Sequence, residues 1–170
     1  MSLYLKNLFG KLNETTRAAL EGATALCVSR GHVHIEIEHY LSSLLPLRNT
    51  DLARICARFE IDTARLELEL QRSLHHIESG SGSPALSPAL VGLLRDAWCV
   101  ASLNFAAPRI RSGFTVLALI DPAQHHELPA ELRKLSAAGV QEKFAEIVRK
   151  SVEKEAAAVA GPEQPQSGLL

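Results

Sequence analysis

The chain has 170 residues, of which 46% are hydrophobic and 22% charged, and its formal net charge is −1. That composition suits one globular domain with a sizeable core, and its balance gives no bulk attraction to nucleic acid or to an anionic membrane. No apolar run reaches the roughly 18 residues of a membrane-spanning helix, and residues 1–11 lack the basic-then-apolar order of a secretory leader.

The three cysteines, Cys27, Cys56 and Cys99, form no CxxC and read as reduced thiols of a cytoplasmic protein. Along the chain, helix signals dominate. Residues 2–11 form a short helix whose apolar side, with Leu3, Leu5, Leu8 and Phe9, is large for its length. Asn13 caps a second helix with Thr16, Ala19, Leu20, Ala23 and Cys27 at helical spacing, and Gly31 ends it. A shorter helix over about 37–45 stops at Pro46. Another covers about 51–59, and a further one starts at Asp62 and carries Leu66, Leu70, Leu74 and Ile77.

Residues 78–84 read as a flexible polar linker. Ser87-Pro88 then gives an N-cap with proline in the first turn of a helix reaching about Asn104. A short helix follows over 113–120, a turn over 129–134, and one long amphipathic helix from Gln141 to about Ala158. Residues 161–170 read as a flexible tail. No segment alternates long enough to predict a strand.

The two halves resemble each other. Placing Leu12 on Leu86 also places Leu20 on Leu94 and Ala23 on Ala97; after one inserted residue, Tyr40–Leu45 falls on Thr115–Ile120. The fold class this implies is all-α, with two four-helix units (about 12–77 and 86–158, joined by 78–85) around a shared core, plus the extra N-terminal helix.

Catalytic motifs are absent from the sequence. It has no G-x-x-x-x-G-K-[ST], no G-x-S-x-G, no H-E-x-x-H and no calcium loop. Neither nucleotide binding nor hydrolysis is expected. His32, His34 and His39 are the most tempting group, but they straddle a loop and a helix, and no cysteine is spaced to complete a zinc set. His39 is expected to hold the loop–helix junction, with the other histidines solvated. Glu67 and Glu69 diverge around a helix and read as a charged face. Arg109 and Arg111 are a weak signal for an anion or a partner's carboxylate. The excess apolar surface of residues 2–11 either covers the core or walls a groove for a partner helix.

The run Leu12–Glu21, followed by Arg30-Gly31-His32 and Ile37-Glu38-His39-Tyr40-Leu41, resembles the double Clp N-terminal repeat of Hsp100/Clp chaperones. The nearer resemblance is to its ClpV-like, type VI secretion branch, supported by Leu8–Asn13, Leu26–His32, Asp51–Ile55, Leu86–Leu90 and Ile110–Gly113. It extends over about Leu3 to Val152. The second repeat has Gly113-Phe114 where the first has Glu38-His39, which implies packing rather than a copied contact.

The resemblance implies a recognition domain without catalysis, binding the N-terminal helix of the large type VI sheath subunit for sheath disassembly. ATP and magnesium would belong to AAA+ modules outside this chain, which itself holds no cofactor. The expected peptide-binding residues are Leu5, Leu8, Phe9, Thr16, Ala19, Leu20 and Ala23, with Leu86 and Leu90 closing the groove from the second repeat. Two rival readings are a general chaperone N-domain for unfolded clients or an adaptor, and a metal-dependent enzyme built on the histidines.

Overall fold

The computed structural model describes residues 2–154. Helix α1 spans Leu3–Gly10, and its cap Ser2 accepts from the Leu5 amide at 3.3 Å. Helix α2 spans Glu14–Ser29; the Asn13 side-chain oxygen accepts from the Thr16 amide at 2.9 Å, and Gly31 leaves the helix with φ +66°. That left-handed turn is where glycine costs least. Strand β1, His34–Ile35, leads into α3, Ile37–Leu44. Helices α4, Asp51–Arg58, and α5, Thr63–His75, are capped by Thr50 and Asp62.

Strand β2, Ala85–Leu86, opens the second half. Helix α6, Pro88–Cys99, is capped by Ser87 and continues through a π-helical stretch to Asn104. Helix α7 covers Ser112–Ile120, α8 Ala137–Glu142 and α9 Phe144–Ile147.

The repeat relation appears in the hydrogen bonding. Ile35 pairs in parallel with Leu86, and Ile110 bridges in parallel with Leu12. These are equivalent pairs with the repeats exchanged: the Ser87 amide donates to Ile35 and the Asn13 amide to Ile110, both at 3.0 Å. Tyr40 and Thr115, which the sequence alignment superimposes, share a hydrogen bond of 2.9 Å between their hydroxyls in the buried centre. A residue bonded to its own counterpart marks a pseudo-two-fold axis. One apolar cluster runs through both halves around it.

Three expectations are corrected. Residues 78–84 are stitched to the first repeat: His32 and Ser79 form an antiparallel bridge, and the Gly80 amide donates to the Gly31 carbonyl at 3.1 Å. Gly80 also lies so close to Val33 that a Cβ there would clash with its side chain. A two-residue strand is too short to produce the alternation that a sequence reading detects.

The long C-terminal helix is broken at Lys143, whose φ of −106° and ψ of 12° leave the helical region. The turn lets Phe144 stack on Phe114 and meet Phe105 at a tilt, with ring centroids 5.2 and 4.9 Å apart. After Ile147 the chain turns back, and the Val152 amide donates to Asn49 at 2.8 Å. The end of that expected helix and the expected tail fall outside the described residues.

The third correction concerns His32, which is buried rather than solvated. The Glu36 amide donates to His39 Nδ1 at 2.9 Å, so the His39 proton sits on Nε2 and donates to His32 Nδ1 at 2.8 Å. Protonating either ring would set N–H against N–H. Burial, then the neighbouring His32 and Arg30, lower His39 to about 4.

Because the folded value lies below the unfolded one, this stabilisation is complete above pH ~6.5 and lost as pH falls through about 4. We expect a loss on the order of 2–3 kcal/mol from His39 between pH 7 and 4. Urea unfolding across that range, compared with His39→Gln, isolates it: the variant should show a shallower dependence.

Phe114 and Gly113 meet the expectation of packing in the second repeat. A Cβ on Gly113 would lie 2.6 Å from the Phe144 ring and 3.0 Å from Asp51 Cβ. Gly113→Ala is therefore expected to cost about 1–3 kcal/mol, read as a lowered urea midpoint with unchanged slope.

Candidate peptide-binding groove

The apolar side of α1 is divided between two duties. Leu8 is buried in the core, while Leu5 and Phe9 remain half-buried and face an open groove of about 620 Å³. Leu12, just before α2, and Arg17, Leu20, Glu21 and Thr24 along α2 continue this wall. Ile35 of β1, Pro84, Ala85 and Leu86 at β2, and Val91 of α6 form the opposite side. The β1–β2 pairing fixes that opposite side against the first repeat, since it holds Ile35 and Leu86 in register. The Arg17 guanidinium donates to the Phe9 carbonyl at 3.3 Å, and Arg109 donates to Gly10 at 2.9 Å. Both ties fix the carboxyl end of α1, where carbonyls lack helical partners.

Of the nine expected peptide-binding residues, the structure brings Leu5, Phe9, Leu20 and Leu86 to this groove. Leu8, Thr16, Ala19, Ala23 and Leu90 are buried in the interior. The small residues of α2 serve its close packing on α3, where a Cβ on Gly22 would lie 3.1 Å from Ser43. Thr16 faces inward to donate to Ile110 at 3.1 Å. Sequence reasoning missed Ile35, Pro84, Ala85 and Val91, which join the groove through strand pairing across the repeats. Leu12, which anchors the repeat alignment, and Arg17, which belongs to the run carrying the resemblance, also line the groove.

A second cleft of about 520 Å³ lies between α3, α5 and the 126–130 segment. Glu36, Glu38, Glu69 and Glu127 share it with Arg72 and Arg133. Burial first, and then Glu36 and Glu127, raise the Glu38 carboxyl above its usual range. Bringing an apolar helix face here would desolvate several charges at once, which is costly. The groove beside α1 carries Arg17 and Glu21 at its rim and otherwise presents mainly carbon.

Arg111 makes two bonds of 2.8 Å to buried Asp51. Cys27 and Cys56 are buried and Cys99 is exposed, all as free thiols, and burial pushes Cys56 up to about 11. Among the described residues, no group of three or more His, Cys, Asp or Glu is placed to hold a metal, and no helix is long and apolar enough to cross a membrane.

Residues 11–121 match the family described as the Clp repeat (R) N-terminal domain. The chain is 34% identical over 151 residues to the AAA+ ATPase ClpV1 of Pseudomonas aeruginosa, covering 86% of this chain and 17% of that protein. It is 31% identical over 166 residues to the chaperone ClpB of Yersinia enterocolitica, covering 95% of this chain and 19% of that protein. The chain thus spans about a fifth of the length of these curated relatives. A solved complex of a ClpV N-domain with a VipB peptide aligns with a TM-score of 0.78 at 28% identity, over 90% of this chain and 96% of that one. The chain belongs to the Clp repeat N-terminal domain family and is a ClpV-like member of it.

Proposed function

We propose that this chain is the substrate-recognition domain of a ClpV-like AAA+ chaperone. Its groove takes the N-terminal amphipathic helix of the large type VI sheath subunit, delivering the sheath for disassembly in the cytoplasm. The observation that carries this reading is the apolar groove between α1, α2 and β2, open on a domain whose relative is solved with a VipB peptide. The domain binds and does not catalyse; ATP and magnesium chemistry belong to AAA+ modules of the longer relatives.

Burial of each well-seated Leu or Phe contributes about 1.5–3 kcal/mol. Two or three such anchors, less the cost of ordering a free peptide into a helix, leave roughly micromolar affinity. Calorimetric titration with the sheath subunit's N-terminal peptide tests this directly: micromolar, saturable binding is expected. Absence of binding to that peptide alongside capture of diverse denatured proteins would favour the general chaperone reading, which likeness to ClpB keeps in view.

A further inference from the structure

Helices α3 and α7 are equivalent in the two repeats, but their amino ends are closed differently. The alignment that superimposes Tyr40 on Thr115 places Glu36 on Arg111. The start of α3 is tied within its own repeat, where the Glu36 amide donates to His39 Nδ1 at 2.9 Å. Arg111 makes no side-chain cap to α7 and pairs with Asp51. The acceptor for α7 is Glu153, which lies 41 residues beyond Ser112. Its carboxylate accepts from the Ser112 amide at 2.7 Å and the Ser112 hydroxyl, from the Asp51 amide at 2.6 Å and from the Asn13 side chain at 3.0 Å.

Among the described residues 149–154, only Ser151 and Glu153 are buried, and Val152, the apolar side chain of the segment, is 61% exposed. Asn49 adds two bonds of 2.8 Å: its carbonyl accepts from the Val152 amide and its side chain donates to the Lys150 carbonyl. It does so at φ +55°, a left-handed conformation that a residue with a Cβ adopts at a cost. Burial, and then Asp51, raise the Glu153 carboxyl above its ordinary range, so the donors around it do not fully offset its desolvation. A segment that buries polar side chains and no apolar one belongs to the part of a fold that opens most readily. We infer that residues 149–154 form a latch that opens while both repeats stay folded, with Glu153 as the positioning residue that closes it. Closed, the chain leaves the domain at Lys154, beside the amino ends of α4 and α7. Open, it leaves at Val148, and its free reach grows by about 20 Å. The chain spans about a fifth of the length of its curated relatives. Use of the latch as an adjustable tether to a following module rests on the reading of this chain as a recognition domain; the opening itself does not.

Amide hydrogen exchange of the whole chain, followed by NMR across sub-denaturing urea, tests the latch. The Asp51, Ser112 and Val152 amides, whose acceptors the closed latch supplies or holds, should exchange together and at least about tenfold faster than the core amides of Leu94 and Leu117. Their rates should depend little on urea, because a local opening exposes little surface. Glu153→Gln, which keeps the size and removes one acceptor oxygen, should populate the open form: the amides of 149–154 should leave their native shifts and become mobile, with the Leu94 and Leu117 signals in place. Exchange of the three amides only with the core's rate and urea dependence overturns the latch. So does loss of the entire native spectrum in Glu153→Gln, which would make the segment inseparable from the fold, or retention of native shifts through 149–154, which would remove Glu153 as its closure. No peptide enters either measurement, so these outcomes are independent of whether the groove binds the sheath helix.

Discussion

Ala23→Glu is expected to unfold the domain rather than to disable a binding surface. Ala23 is 0% exposed on the face of α2 that enters the shared core, and its counterpart Ala97 is equally buried. A glutamate there adds volume to a packed interior and buries a carboxylate with no partner, penalties that together reach several kcal/mol. That is a large share of the 5–15 kcal/mol that holds a typical domain folded. Circular dichroism should show a lost or sharply lowered thermal transition. Leu5→Glu provides the contrast. Leu5 is half-buried on the groove wall, so its replacement should keep the fold and lower peptide affinity at least tenfold, about 1.4 kcal/mol or more.

Asp51→Ala carries the second large effect. Asp51 is fully buried, and its two oxygens each accept from the Arg111 guanidinium at 2.8 Å. Glu153 lies beside it: its carboxylate accepts from the Asp51 amide at 2.6 Å, the Ser112 amide at 2.7 Å and the Asn13 side chain at 3.0 Å, and from the Ser112 hydroxyl. The amino ends of α4 and α7 thereby aim unpaired amides at one carboxylate, favouring negative charge there, and the N-cap side chain of α2 joins them. Burial, and then Asp51, hold Glu153 above the usual carboxyl range.

Removing Asp51 takes away the two carboxylate acceptors of the Arg111 guanidinium within a desolvated network, at an expected cost of about 3–5 kcal/mol. Asp51→Leu combined with Arg111→Met should lose less than Asp51→Ala alone, because the double change leaves no unmatched charge at the pair. Urea denaturation of the two variants measures the difference.

Helix caps were the most legible part of the sequence. Asn13, Asp62 and Ser87-Pro88 each announce a helix start, because the side chain that ends the preceding loop supplies the first amides with an acceptor. The pseudo-two-fold was equally legible, since both repeats spend the same apolar positions on one core. The groove was half legible. Leu5 and Phe9 belong to a helix with more apolar surface than its own packing uses.

Ile35, Pro84, Ala85 and Val91 arrive through two-residue pairings between distant segments, and local periodicity carries no trace of such contacts. Ala19 and Ala23 misled because small residues permit close approach without saying which helix approaches; here α2 packs closely on α3. Glu153 was invisible for a related reason: a lone glutamate near a chain end looks solvated until the fold brings three helix amino ends to it.

Methyl-resolved NMR of the Leu- and Val-labelled domain, titrated with the sheath subunit's N-terminal peptide, tests the groove assignment most directly. The expected result is saturable shifts at Leu5, Leu12, Leu20, Leu86 and Val91, which line the groove beside α1. Shifts confined to Leu41, Leu70, Leu119 and Leu128, which line the charged cleft, with the groove methyls unmoved, would contradict it.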